Sequence, residues 1–483
     1  MVQDKDVLLE VVSRELRYTF GLRINLDAGF CLRRGKAYSV VGPNGCGKSV
    51  LGNIIERGWN FMTNKILGDK SALKIRSVEF SDIHSLTGFT EGYYQQRFES
   101  TQNEEIPTVR ELIDGKISPE LWAQLSKELH IDGILDKHVN FLSSGELRKF
   151  LLINILSDIP DILIIDNPYI GLDDKSRDML DDMLSKVTQR GTCVVLLLCA
   201  AKDVPDFCDY VLPMHDMHVG VMREWQGSVR EEVRQELKAL FPPCGDVERL
   251  PIETSEANPG SEEIFRLNKC TVGYGSTIIL RDESWVVNKG EKCALLGENG
   301  SGKSTLLSLV CADNPQSYSN DVTIFGMARG SGESIWDIKR RIGYISPEMH
   351  LYFNGIAKVE DVIAQGFSDK VGNYCHASAS ELIIAREWMQ GLGMSALEGR
   401  VFSTLSSGEQ RLVLLARTLI KQAPLLILDE PLHGLDESRK RLVSKVIERI
   451  VEREGMTIVY VTHYVEEIPK CVNNIKRLSP LGR

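Results

Sequence analysis

Two eight-residue stretches of this chain have the residue types and spacing to hold a chain of phosphates. Gly297-Glu298-Asn299-Gly300-Ser301-Gly302-Lys303-Ser304 and Gly42-Pro43-Asn44-Gly45-Cys46-Gly47-Lys48-Ser49 both read G-x-x-x-x-G-K-S. Glycines let the backbone curl until its N–H groups surround phosphate oxygens, and the lysine ammonium, Lys303 or Lys48, reaches the β- and γ-phosphates. The hydroxyl of Ser49 or Ser304 is placed to ligate Mg²⁺. An apolar run, 292–296, leads into the second loop, and helical spacing over 305–310 leads out of it. The loop therefore sits where a strand hands over to a helix N-terminus, whose unpaired N–H groups and dipole favour anions. A plain glycine-rich turn has no need of that position.

Further markers repeat in the same order. Leu142-Ser143-Ser144-Gly145-Glu146 recurs as Leu405-Ser406-Ser407-Gly408-Glu409. Ile162-Leu163-Ile164-Ile165-Asp166 recurs as Leu425-Leu426-Ile427-Leu428-Asp429, and Gly171-Leu172-Asp173 as Gly434-Leu435-Asp436. Four markers in one order, twice, make the chain a tandem duplication. Each apolar run reads as a buried strand ending on a carboxylate, so Asp166 and Asp429 are placed to hold Mg²⁺ through water. Ser143 and Gly145 open a helix that gives phosphate a second N-terminus to face.

At 483 residues the chain is long enough for two full hydrophobic cores. Its 43% hydrophobic and 26% charged content is that of a globular protein. The net charge of −10 argues against a broad surface for nucleic-acid backbone, which needs clustered Lys and Arg. The 11 cysteines are scattered without C-x-x-C pairs, which points to reduced thiols rather than zinc or a disulfide framework. The acidic start lacks the basic and apolar segments of a secretory signal, and the most apolar run, 193–201, is too short to span a bilayer. A cytoplasmic chain without membrane spans is expected, and any transport role would need separate membrane subunits.

In order, residues 7–41 alternate short apolar stretches with turns, as a β-rich lead-in does. Tyr18 and Phe20 each have the character to stack on an adenine or to fill a core. Tyr274, ahead of the strand-like 278–280, lies as far from its phosphate loop as Tyr18 and Thr19 do from theirs, which favours adenine stacking there. After a strand near 77–80, Gln95 or Gln96 could hold the metal or be a polar loop residue. Helical periodicity covers 111–135. Pro242-Pro243, Pro251, Pro259-Gly260 and several glutamates mark a joint. The division is 7–225, an acidic linker over 226–263, and 264–483.

Taken together, these residues resemble the ATP-binding cassette (ABC) ATPases: phosphate loop, L-S-S-G-E signature, strand ending in aspartate, G-L-D turn, and a last strand followed by His463. Within that family, Tyr318-Ser319-Asn320-Asp321 and the run from Arg329 to Lys339 resemble the bacterial tandem ABC proteins named for molybdate transport or photorepair. The resemblance implies an α/β fold with two P-loop NTPase domains in tandem. Each would have a mainly parallel core sheet, a β-rich lead-in and a helical subdomain. It implies ATP and Mg²⁺ as cofactors, and a pairing of the two domains in which each phosphate loop meets the other domain's signature. One site would then combine the first loop, Asp166, Asn167 and Cys199 with Ser406 and Gly408. The other would combine the second loop, Asp429, Glu430 and His463 with Ser143 and Gly145.

The two sites are not alike. Glu430 and His463 match the family's general base and γ-phosphate histidine, whereas Asn167 and Cys199 stand in those places in the first half. An asparagine cannot take a proton from water at neutral pH. Pro347 stands where a glutamine usually follows the strand, leaving Ser346 and Glu348 as polar candidates. His433 beside the G-L-D turn reads as incidental and Trp336 as a packing residue. Hydrolysis is expected mainly at the site with Glu430, His463 and Lys303.

The leading expectation is an ATPase that energises membrane permease subunits on separate chains, at the inner face of the cell membrane. The alternatives are a ribosome-associated translation factor and a DNA-repair or regulatory ATPase. Tandem ABC translation factors carry a long basic helical linker; the acidic, proline-containing stretch here argues against a ribosome or nucleic-acid partner.

Overall fold

The computed structural model describes residues 6–19, 21–58, 64–69, 71–79, 107–113, 117–128, 134–139, 150, 153, 158–170, 172, 174–252, 262–274, 277–298, 300–346, 349, 356–367, 377–451 and 456–479. The chain divides into two compact units. Among the described residues, the first takes in those up to Pro242 together with Gly434–Ser438, and the second takes in those of Pro243–His433 and Arg439–Arg483.

Each unit is built on a parallel sheet whose central strands are mostly apolar and buried along their length, as strands covered on both faces are. In the first unit the parallel order is Ile75–Glu79, Ile162–Asp166, Cys193–Leu198, Ala37–Val41, Tyr210–His215. In the second it is Ile342–Ile345, Leu425–Asp429, Thr457–Thr462, Lys292–Leu296, Asn474–Arg477. The two orders match strand for strand. All of Ala37–Val41, Ile162–Asp166, Leu425–Asp429 and Thr457–Thr462 is buried. Helices cover the sheets with amphipathic faces. Asp174–Gln189 buries Leu180, Met183, Leu184 and Val187, spaced three and four apart on one side.

The lead-in is antiparallel in both units. Val7–Val11 pairs with Phe30–Arg33 and Ile66–Leu67, and Glu263–Tyr274 pairs with Thr277–Asn288 and Asp321–Ile324. In the first unit the short strand His218–Val219 also joins Arg23–Leu26, so lead-in strands run on into the main sheet.

The helical part of the second unit packs Val359–Ala364 and Ala379–Gly391 against Ser407–Ile420 around the fully buried Trp388 and Phe402. In the first unit, the periodicity over 111–135 corresponds, among the described residues, to two helices, Val109–Ile113 and Pro119–Glu128. Pro119 explains the break: it pushes the residue before it out of helical geometry and is itself suited to a first helical position. Within the stretch read as a linker, Val229–Ala239 is a helix that buries Val233 and Leu237 in the first unit's core. Arg230 ties it down by bonding Asp206 and the Trp225 carbonyl. Residues 253–261 lie outside the described residues.

Candidate functional site

The phosphate loops are delivered by the central strands. Lys292–Leu296 runs between Thr457–Thr462 and Asn474–Arg477 and ends at Gly297; helix Lys303–Val310 begins at the other end of the loop. Gly300 and Gly302 have φ of 80° and 93°, in the left-handed region that side chains other than glycine's strain to enter. A Cβ on Gly302 would also lie 2.8 Å from Leu280 Cδ2. The first loop repeats this with Gly45 and Gly47 at 80° and 102°, ahead of helix Lys48–Arg57. There a Cβ on Gly47 would run into Met217 Sδ, from the turn after Tyr210–His215. Both lysines fold into their own loops. Lys48 Nζ donates to Gly42 O and Pro43 O, each at 2.8 Å, and Lys303 Nζ to Gly297 O at 2.7 Å and Glu298 O at 3.0 Å. Asn299 lies outside the described residues.

In the first unit Ser49 Oγ donates to Asp166 Oδ2. Burial raises the Asp166 pKa, opposed by the Ser49 hydrogen bond and the Lys48 charge. In the second unit burial, then the Glu430 charge, pushes Asp429 up to about 7, with Lys303 opposing. A buried carboxylate crowded by another carboxylate is a site that a cation relieves, and a serine hydroxyl plus an aspartate is the hard-oxygen donor set that Mg²⁺ takes with water. Ser49 with Asp166 therefore fits the ion, and Asp429 offers the equivalent buried carboxylate in the second unit.

The next residue along each strand separates the units. Asn167 and Glu430 have the same backbone: φ is 48° for both, and their N–H groups donate to Leu197 O and Val461 O, each at 2.9 Å. Their side chains differ in what they reach. Glu430 Oε1 is 2.9 Å from His463 Nδ1, with both side chains largely buried. Asn167 Nδ2 instead donates to Asp166 Oδ1 at 2.7 Å. Strand register fixes the second substitution, since Leu198 pairs with Val41 as Thr462 pairs with Leu296, which puts Cys199 where His463 stands. Residue 347 and the stretch holding Gln95 and Gln96 lie outside the described residues. Ser346, abreast of Asp429 by the pairing of Ile345 with Leu428, is buried.

The signature of the second unit proves to be a helix cap. Ser406 is the N-cap of Ser407–Ile420, and its hydroxyl and N–H both bond Glu409 Oε2, at 2.8 and 2.9 Å. The S-x-x-E spacing of a capping box is legible in Ser406-Ser407-Gly408-Glu409. Gly408 is buried in the first turn. Ser143 and Gly145 lie outside the described residues. Tyr274 is half-buried at the end of Glu263–Tyr274, and its hydroxyl accepts from Asn314 Nδ2 at 3.0 Å. Asn314, 1% exposed, carries no signal in local spacing because it lies 40 residues further along.

A family model described as ABC transporter matches residues 26–170 and 280–433. The chain belongs to the ABC family. It is a tandem ABC ATPase, whose members bind and hydrolyse ATP, generally with Mg²⁺. The ABC transporter ATP-binding protein ModF of Escherichia coli (strain K12) is 34% identical over 93% of both chains. An uncharacterised ABC transporter ATP-binding protein of Schizosaccharomyces pombe is 25% identical over 92% of this chain and 93% of its own. Among solved structures, one described as ribosome-bound archaeal Pelota and ABCE1 matches with a TM-score of 0.62 at 19% identity, covering 97% of this chain and 78% of that one. RNase-L Inhibitor matches with 0.55 at 20% identity, covering 97% and 90%. Those structural likenesses carry the tandem fold alone. Among the described residues no helix is long and apolar enough to cross a membrane.

Proposed function

We propose that this ABC ATPase turns over ATP mainly at the phosphate loop of its second unit and that the turnover drives membrane permease subunits on separate chains. The observation behind it is the Glu430–His463 pair, with Asn167 and Cys199 at the matching positions of the first unit. In the second unit Lys303 and the loop N–H groups hold the β- and γ-phosphates, Tyr274 stacks on the adenine, and Ser304 and Asp429 hold Mg²⁺, which neutralises phosphate charge. Glu430 takes a proton from water as the water oxygen bonds to the γ-phosphorus and the bond to the β–γ bridging oxygen breaks, leaving ADP and phosphate. His463 orients Glu430 and meets the γ-phosphate. The first unit binds Mg·ATP through Gly42–Ser49 and Asp166 and retains it. The signature residues Ser143, Gly145, Ser406 and Gly408 complete the phosphate contacts when the units pair. The domain limits 7–225 and 264–483 belong to this reading.

The permease partner draws support from the name of the 34% identical relative, an ABC transporter ATP-binding protein, and molybdate enters as the solute only by the resemblance carried by Tyr318–Asp321 and Arg329–Lys339. The protein then works in the cytoplasm, at the inner face of the membrane. Its test is a tagged Glu430→Gln chain recovered from its own cells. Loss of a general base lowers turnover by about 10²- to 10⁴-fold, so this variant should hold ATP and its partner. An integral membrane protein retained in the ATP-bound eluate supports the reading. Ribosomes or DNA in its place would contradict it, and turnover like that of the unchanged chain would remove Glu430 from its role.

A further inference from the structure

In both units a side-chain carboxamide is folded onto the backbone of the residue just before the half-exposed tyrosine. Gly273 precedes Tyr274, and Gly273 N donates to Gln316 Oε1 at 3.2 Å while Gln316 Nε2 donates to Gly273 O at 3.0 Å. Arg17 precedes Tyr18, and Arg17 N donates to Asn64 Oδ1 at 2.7 Å while Asn64 Nδ2 donates to Arg17 O at 2.8 Å. The remaining Asn64 hydrogen goes to Gly58 O at 2.9 Å. The clamping residue differs between the units, asparagine in one and glutamine in the other, yet the two-bond ring is the same.

The clamps sit where sheet pairing runs out. Glu263–Tyr274 pairs with Asp321–Ile324 only from Phe265 to Asn268, so further along, the same edge of the strand has no strand opposite it there. Asn320 takes Thr271 there, with bonds of 2.8 and 3.1 Å, and Gln316 takes Gly273 two residues on. Alternate residues of a strand turn their N–H and C=O to the same edge, and a carboxamide offers an acceptor and a donor side by side, as one residue of a neighbouring strand would. In the first unit Val12 N still reaches Lys65 O at 2.9 Å before Asn64 takes over at Arg17. The result is a backbone held firm up to the tyrosine Cα. Each tyrosine rests one side against its unit's core, and in the second unit Asn314 fixes the hydroxyl as well.

We propose that Gln316 and Asn64 are positioning residues that hold Tyr274 and Tyr18 as adenine platforms, one per unit. This rests on the ATP-binding reading of both loops and identifies Tyr18 as the first unit's platform. An aromatic platform contributes to affinity only if it is already in place, since ordering it on binding would use up the stacking gained.

The test isolates one site at a time. In full-length protein with the first loop disabled by Lys48→Ala, Gln316→Leu and Gln316→Glu are titrated with Mg·ATP and with inorganic triphosphate. Expected is about tenfold weaker ATP binding, the scale of one lost base stack, with triphosphate unchanged. Tyr274→Ala should give the same loss, and Gln316→Leu should add nothing to it. The mirror experiment uses Asn64→Asp and Tyr18→Ala with Lys303→Ala. ATP affinity unchanged in the carboxamide variants, or triphosphate weakened in step with ATP, would overturn the clamp. ATP affinity unchanged in Tyr274→Ala would overturn the adenine reading and the clamp with it, whereas loss of triphosphate binding in the parent would indict the loop.

Discussion

Asn167 and Glu430 occupy the same left-handed backbone position at the end of equivalent strands. Asparagine tolerates that conformation better than glutamate does, so Glu430 is the more strained member of the pair. The substitution was legible in the sequence because it sits in an anchored marker. What it touches was not, since the 2.9 Å contact to His463 spans 33 residues. Asp429 beside it makes a pH prediction. Its pKa rises from 3.8 unfolded to about 7 folded, so the neutral acid is favoured by the fold. The stability this contributes is fully present below 3.8 and lost as pH rises through about 7. In Mg²⁺-free buffer the melting temperature of the unchanged chain should therefore fall relative to Asp429→Asn across that window. A gap that is flat or runs the other way contradicts the assignment.

At the scale of elements, strands with unbroken apolar runs were readable, because burial on both faces leaves no alternation to misread. The tandem order of loop, signature, strand and turn followed from spacing alone. Three features were not readable. Pro119 splits a periodic stretch, the helix Val229–Ala239 forms within a charged joint because packing of Val233 and Leu237 overrides composition, and the carboxamide clamps join residues more than 40 apart. The elements also carry a prediction of their own. Gly302 caps its helix with φ 93° and faces Leu280 and Ile279, so Gly302→Ala should destabilise the second unit by about 1–2 kcal/mol. Triphosphate binding to a chain carrying Lys48→Ala should be lost with it. Normal affinity in a calorimetric titration would mean that the curl of the loop does not matter.

At the scale of the molecule, the two units share a sheet order and a phosphate loop but differ in the pair that would activate water. Duplication keeps the strands, the glycines, Lys48 and Lys303, while the strand-end glutamate and histidine, Glu430 and His463, stand in one copy. The family and the duplication were legible from the sequence, and the proposed unequal division of labour rests on four residues, Asn167, Cys199, Glu430 and His463. The direct test is single-turnover hydrolysis of radiolabelled ATP by the whole chain, counting nucleotides retained and cleaved per protein. The account predicts one ATP cleaved quickly and one retained, with cleavage abolished by Lys303→Ala and surviving Asn167→Gln; two ATP cleaved at similar rates would contradict it.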